Sequence, residues 1–293
     1  MESVVRQSVK TSSLFSYLKH LYQHHQENTL YVKRLKLLEK IIQNKDLHTY
    51  FQPIVDIQTM ETMGFEALNR PEISDLFGNV DYFYEFVGQT DKVFLFECFC
   101  RNLSLQRFKG RLSGGMLRKD FVLFLNIHPN VLLDKSYHSG ETLQLLKELD
   151  IKPQQVVFEL TERSAVIDFV EFERVLSHYR SQGYRIAVDD VGSGYNSLKT
   201  LIYLKPEFIK LDRSLIQFID KHCEQQQLVT LLMKYAEQAG TKMIAEGIER
   251  LEELDYLQQI GIHYAQGYAL GKPTMDIQLG GIQVSGDGNR RSH

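Results

Sequence analysis

Seven short apolar runs in this chain each end on a polar residue that a protein core does not tolerate alone. TMGFE ends at Glu66, FVLFLN at Asn126, VVFE at Glu159, RIAVDD at Asp189 and Asp190, EFIK at Lys210, TKMIAE at Glu246 and YAQ at Gln266. Burying a carboxylate, amide or ammonium without a partner is costly, so these ends are read as facing one shared polar site. Repetition at the ends of successive β-rich runs is the pattern of a barrel whose chemistry lies on one rim.

Strand-like and helix-like stretches alternate from Thr49 onward. The patterning predicts strands at Tyr50–Asp56, Thr62–Leu68, Phe121–Ile127, Gln155–Thr161, Arg185–Asp190, Glu207–Asp212, Thr241–Glu246 and His263–Tyr268. It predicts helices at Phe83–Phe108, Thr142–Leu149, Asp168–Gln182, Ser197–Leu204, Ser214–Ala239 and Leu251–Ile260. Only Ile57–Glu61 joins the first two strands, too little for a parallel crossover, so they are expected to pair as an antiparallel hairpin. The rest keeps a βα rhythm. A doubly wound open sheet competes, but the strand count and the rim residues on nearly every strand favour closure. The expected fold is α/β, a (β/α)8 TIM-like barrel with an antiparallel first strand, preceded by an N-terminal helical extension.

The expected boundaries are a helical extension over 1–45, the barrel over 46–279 and a flexible tail over 280–293, where Gly and polar residues dominate. Leu14, Leu18, Leu21, Val32, Leu35, Leu38 and Ile42 recur at helical spacing around a polar patch from His24 to Thr29. This predicts two helices, or one with a weak centre, whose spare apolar face could cover the barrel bottom or pair with a second copy. His20 and His24 stand four apart, but no acid or Cys completes a ligand set and a solvated face is expected.

A net charge of −3 and pI of about 6.4 provide no global basic field for a nucleic-acid polymer or an anionic membrane. The three cysteines, Cys98, Cys100 and Cys223, have no CxxC spacing, which argues against a zinc site or disulfide framework. Cys98 and Cys100 read as small core residues. No apolar run is long enough to span a bilayer and none forms a secretory h-region. The expected setting is the cytoplasm.

Charge counting gives the shared site its chemistry. Glu66, Glu159, Asp189, Asp190 and Glu246 would bring five negative charges to one rim, with Lys210 supplying one positive charge. Such a cluster repels itself unless cations enter it. Two divalent ions would supply four positive charges and reach neutrality. Oxygen donors without Cys or His favour Mg²⁺ or Mn²⁺ over zinc. A metal pair suits in-line displacement at phosphorus. Taken singly, Asp189 and Asp190 could cap a helix and Glu246 could close a turn.

The stretch YFQPIVDIQTMETMGFEALNR resembles the opening of EAL domains, the cyclic-di-GMP phosphodiesterases of bacteria. The resemblance continues through FLNIHP, FELTER, IAVDDVGSGYNSL, FIKLD, IAEGIE and AQGYALGKP, covering about Tyr50 to Pro273. It implies a barrel with an antiparallel first strand and hydrolysis of cyclic-di-GMP to linear pGpG. It further implies Glu66, Asn126, Glu159 and Asp189 as ligands of one metal, with Asp189 and Asp190 serving the second. Lys210 matches the lysine that contacts the attacking water, and Glu246 the general base or a second-metal ligand. Gln52, Arg70 and Gln266 fall where the family contacts substrate, and Glu162 where it supports the loop after the paired aspartates. Family habit adds a homodimer.

Two departures from the family pattern stand out. The loop reads DDVGSGYNSL where the family commonly has Asp-Asp-Phe-Gly-Thr-Gly-Tyr-Ser-Ser, so Val191, Ser193 and Asn196 differ. The loop is expected to work, with altered metal affinity or dimer coupling. Pro71–Lys92 lacks the usual Trp and His-Pro turn but carries Phe77, Tyr82, Phe83, Tyr84 and Phe86, which read as packing or, more sharply, as a guanine-stacking wall. Gly192 and Gly194 form no Walker-type cradle, since no Gly-Lys-Ser/Thr follows. Two rivals to hydrolysis are a non-catalytic cyclic-di-GMP receptor or protein-interaction module with an EAL fold, and an unrelated metal-using barrel enzyme.

Overall fold

The structure is a computed structural model that describes residues 2–72, 74–118, 120–127, 139–161, 169–193 and 197–282. It resolves into two compact units, one of Met1–Leu47 with Pro71–Gln89 and one of His48–Arg70 with Thr90–His293.

In the larger unit, β1 (Leu47–Asp56), β2 (Thr62–Pro71), β3 (Val122–Asn126), β4 (Val156–Thr161), β5 (Arg185–Val191), β6 (Phe208–Leu211), β7 (Lys242–Ala245) and β8 (Tyr264–Ala265) close in sequence order. Strands β2 to β8 run parallel, and β1 runs against β8 through Val55↔Ala265 and Asp56↔Tyr264. The short β1–β2 turn forces that reversal. Asp56 Oδ1 accepts from the amides of Gln58 and Thr59 at 2.9 and 3.0 Å, and Asp56 N donates to Glu61 O at 2.8 Å.

Strand alternation sorts the side chains into two layers. Ile54, Val122, Phe124, Val157, Ala187, Phe208 and Ile244 form one apolar cluster with Met63 and Tyr264, the barrel interior. Their neighbours Phe65, Leu125, Phe158, Val188, Ile209 and Met243 belong to the outer layer that the helices cover. This second layer explains why the strands read as continuous apolar runs: both faces are buried.

Two expected helices are each broken in two. Phe83–Phe108 is replaced by Val80–Gly88, capped by Asn79 accepting from Tyr82 N, and Val93–Arg111. The chain re-enters helix where Thr90 Oγ1 accepts from Lys92 N at 3.2 Å. Ser214–Ala239 is replaced by Arg213–Ile216 and Cys223–Ala239. Between them Phe218 takes φ +58 and gives its amide to the distant Glu253. No Gly or Pro marks that break. Tertiary hydrogen bonding made it.

In the smaller unit, Glu2–Asn44 is one continuous helix. The aromatic segment packs upon itself: Phe77, Phe83 and Phe86 are buried, with Phe77–Phe83 and Phe77–Phe86 centroids 5.0 and 5.4 Å apart. Tyr31 meets Phe86 at 5.5 Å, and the Arg34 guanidinium lies 4.7 Å from the Tyr82 ring centroid. Arg34 also donates to Leu76 O at 2.9 Å. Phe77, Phe83 and Phe86 are packing, as the blander reading has it, whereas Tyr82 is exposed. His24 stands exposed on the helix, 4.0 Å from Glu27. Cys100 is buried, Cys98 half-buried and Cys223 exposed. Among the described residues no helix is long and apolar enough to cross a membrane. Most of the expected tail lies outside the described residues.

Two stability predictions follow from the barrel. A methyl on Gly64 would run into the carbonyl of Val122, its partner in β3, so Gly64→Ala should cost about 2 kcal/mol in chemical denaturation. His263 accepts the Met243 amide at 3.2 Å, so it must be neutral there. Burial, then the Lys242 ammonium, lowers its pKa below 6.5 against the pull of Glu237 and Asp56. The unfolded chain therefore binds the proton more readily. The stability concerned is fully present above about 6.5 and is lost as the pH falls toward the lowered native value. The melting temperature of the natural chain should drop more steeply below that pH than that of His263→Gln, whose amide oxygen can still accept from Met243.

Candidate active site and metal centre

The polar ends of the strands form the layer directly above the barrel's apolar interior. Asn126 stands two residues beyond Phe124, Glu159 beyond Val157, Asp189 beyond Ala187, Lys210 beyond Phe208, Glu246 beyond Ile244 and Gln266 beyond Tyr264. Gln52 stands two residues before Ile54, because β1 runs the other way. A step of two returns each side chain to the inner face.

Lys210 sits at the centre with 1 % exposure. Its Nζ lies 2.8 Å from Glu159 and Glu246, 3.2 Å from Asp189 and 3.3 Å from Glu66. Glu66 is held on its other sides as well. Gln266 Nε2 donates to its Oε2 at 2.7 Å and Asn126 Nδ2 to its Oε1 at 3.2 Å. Gln266 also donates to Gln52 Oε1 at 3.0 Å, and Gln52 Nε2 reaches Gly271 O at 3.1 Å.

Adjacent strand residues normally point to opposite faces, yet Asp189 and Asp190 both serve the rim. The register of β5 on β6 shifts between Val188 and Val191, and Asp190 adopts φ +57. A bulge with one left-handed residue turns the second aspartate inward. Oxygens of Asp189, Asp190 and Glu246 then lie within 4.8 Å of one another. Val191 itself is buried in the outer layer and pairs with Leu211.

The field inside this ring is uneven. Burial opposes ionisation of Glu66, but Lys210 and the donors Gln266 and Asn126 hold its carboxyl below the ordinary value. Burial raises Glu159 well above the ordinary range, aided by the charges of Glu66 and Asp189 and opposed by Lys210. Glu246 is raised for the same reason, burial first and then Asp189 and Glu66. Burial and Asp189 push Asp190 up to about 6. Burial disfavours the Lys210 ammonium, yet the surrounding carboxylates raise its pKa well above the ordinary value.

The donor set fits hard divalent cations. Glu159 is fully buried; its Oε1 meets the Lys210 ammonium at 2.8 Å, and its Oε2 has no hydrogen-bond partner among the described residues. A buried carboxylate in that condition is unfavourable unless positive charge approaches it. Glu66, Asn126, Glu159, Asp189, Asp190 and Glu246 offer only oxygen ligands, the preference of Mg²⁺ and Mn²⁺. Beside the ring opens a cavity of about 270 Å³ lined by Gln52, Glu66, Glu246 and Gln266 and by Asp212, Arg213, Glu249 and Tyr268.

The sequence pattern that defines the EAL domain matches residues 35–273. The chain belongs to the EAL domain family. It is 28 % identical over 236 residues to the cyclic di-GMP phosphodiesterase RocR of Pseudomonas aeruginosa, covering 79 % of this chain and 58 % of that protein. It is 31 % identical over 247 residues to the cyclic di-GMP phosphodiesterase PA2567 of the same organism, covering 83 % of this chain and 41 % of the relative. The chain thus spans about half the length of these curated relatives. Its fold matches BlrP1 of Klebsiella pneumoniae, solved as a manganese and cyclic-di-GMP complex, with TM-score 0.69, 27 % identity and coverage of 80 % of this chain and 57 % of that one.

Within this EAL domain, eight of the eleven residues singled out from sequence meet in the contacts just described, and Asp190 joins through the bulge. Arg70 does not. It lies exposed at the end of β2, donating to Asn69 O at 3.1 Å. Glu162 lies outside the described residues, as does Asn196 of the variant loop. The cavity residues Asp212, Arg213, Glu249 and Tyr268 were missed as site residues. Asp212 and Glu249 had a signal, since they follow Lys210 and Glu246 by two and three residues within FIKLD and IAEGIE.

Removing the central cation tests the ring directly. In the presence of a chelator, Lys210→Met should cost about 3 kcal/mol or more near neutral pH, because the buried acids lose the ammonium they share. The loss should shrink in mildly acidic buffer, where protonation relieves the repulsion. Denaturant titrations at both conditions check it.

Proposed function

We propose that this chain hydrolyses cyclic-di-GMP to linear pGpG as a divalent-metal-dependent phosphodiesterase. The observation that carries the reading is the ring of acids around Lys210 on the rim of an EAL barrel. The relatives' names and the neighbour's bound dinucleotide support the same substrate.

Two ions, Mg²⁺ or Mn²⁺, would be held by Glu66, Asn126, Glu159 and Asp189 on one side and by Asp189 with Asp190 on the other. Bound there, such ions would lower the pKa of the attacking water and offset charge on the reacting phosphate. Glu246, at the end of β7, accepts or orients the proton that this water gives up. Lys210 stays protonated among its carboxylates and stabilises negative charge at the nucleophile or phosphate. Asn126 contributes an oxygen without further repulsion. Water's oxygen joins phosphorus, one ester P–O bond breaks, and the departing sugar oxygen takes up a proton. Gln52 and Gln266 hold substrate from the cavity wall, and Arg70 can grip a phosphate with both guanidinium arms once it turns inward. Glu162 supports the loop after the paired aspartates.

The same reading places the chain in the cytoplasm, with 46–279 as the catalytic unit, 1–45 as a helical extension and 280–293 as a flexible tail. Tyr22, Leu30, Tyr31 and Val32 are exposed on the long helix, which supports pairing of two copies.

Purified chain with Mn²⁺ and cyclic-di-GMP should release pGpG, measured by chromatography. Glu66→Gln and Asp189→Asn should each cut the rate about 100-fold or more. Tight calorimetric binding of the dinucleotide with no product from the natural chain would overturn the enzyme reading in favour of a receptor.

A further inference from the structure

The loops that follow β6 and β7 are fastened to each other by one buried acid. Glu253, 1 % exposed, lies in the first turn of helix Leu251–Gln259. Its Oε2 accepts from the amides of Glu249 and Arg250, each at 3.2 Å. Those bonds alone would be an ordinary capping arrangement. Its Oε1, however, accepts from Phe218 N at 2.9 Å, and Phe218 is 35 residues away. Phe218 stands at φ +58, a region that a residue of this bulk enters at a cost. Something must hold it there.

Arg250 doubles the link. Its two terminal nitrogens reach the Asp220 carboxylate at 2.7 and 3.2 Å, and its guanidinium lies 5.2 Å from the Phe218 ring centroid. Both bridged loops carry site residues. The first leaves β6 just after Lys210 and passes Asp212 and Arg213. The second begins at Glu246 and passes Gly247, whose φ is +69. Glu246 is pinned at its own amide, which donates to Leu211 O at 3.1 Å. A pivot glycine directly after it leaves the carboxylate's direction dependent on where the loop is next anchored. The first anchor is Ile248, whose amide donates to Gln266 O at 3.1 Å and whose carbonyl accepts from Ala269 N at 3.0 Å; the second, which ties this loop to the one after β6, is at Glu249 and Arg250, on Glu253.

We propose that Glu253 is a positioning residue: with Arg250 and Asp220 it clamps the 217–220 loop to the 246–250 loop, and so sets the direction in which Glu246 meets the reacting water. This rests on the phosphodiesterase reading of the rim. A carboxylate is required because two oxygens serve three amides. Glutamine keeps the size but offers one acceptor oxygen and turns an NH₂ group toward a backbone donor.

The test combines steady-state kinetics with hydrogen exchange on the full chain. Glu253→Gln should lower kcat about tenfold while KM for cyclic-di-GMP stays within about twofold. Exchange at the amides of Phe218, Glu249 and Arg250 should quicken about tenfold or more, with the barrel strands unchanged. Arg250→Lys, which keeps the charge but loses the fork, should move both readouts in the same direction by less, and it carries the test if Glu253→Gln fails to fold. Unchanged kcat per folded molecule, or a loss confined to KM, would reduce Glu253 to a helix cap and overturn the proposal. Inactivity of the natural chain would overturn the phosphodiesterase reading instead; the clamp would then stand or fall on the exchange at Phe218.

Discussion

The ammonium of Lys210 is the interaction on which the rest of this rim depends. Four carboxylates converge on it within 3.3 Å, and all four of those side chains are less than a fifth as exposed as in an open chain, with Glu159 wholly buried. Like charges at such spacing repel strongly in a medium of low polarisability. A barrel could not gather them without a cation at the centre. Lysine suits the place because its stem can rise through the apolar interior above Phe208 while its compact charge meets several acids at once. The same concentration of acids makes a negative field on the rim that favours the approach of further positive charge.

The barrel contributes the geometry by a simple rule. Alternation along each strand gives an interior residue every second position, and the site residues occupy the step above the apolar floor. That rule covers β1 only when its direction is reversed, which brings Gln52 beside Gln266 and Glu66. The rule fails once, at Asp190. There a bulge and a left-handed backbone add a second aspartate on the same face. Strain of that kind persists where surrounding structure enforces it.

Much of this was legible in the chain. The eight strands fall close to the expected spans, because residues buried on both faces leave continuous apolar runs bounded by polar ends. The acids were legible because their positions contradict burial. Helix breaks were less readable. Phe218 interrupts an expected helix with neither glycine nor proline, under the pull of Glu253, which lies far along the sequence. Arg250 and Glu253 likewise gave no signal, since an Arg and a Glu near a helix start look like solvated residues until Asp220 and Phe218 arrive beside them.

By itself the sequence determined which segments become strands, which residues close them, and that the rim must balance five acids against one lysine. Those follow from local periodicity and from the cost of burying charge. Only the tertiary structure decided that Lys210 stands among the acids rather than beside them, that both aspartates face inward, and that one carboxylate ties two loops together. Each of these depends on distances between residues remote in the chain, set by barrel closure and strand register. Periodicity reports which face a residue occupies. It carries no information about which partner waits there.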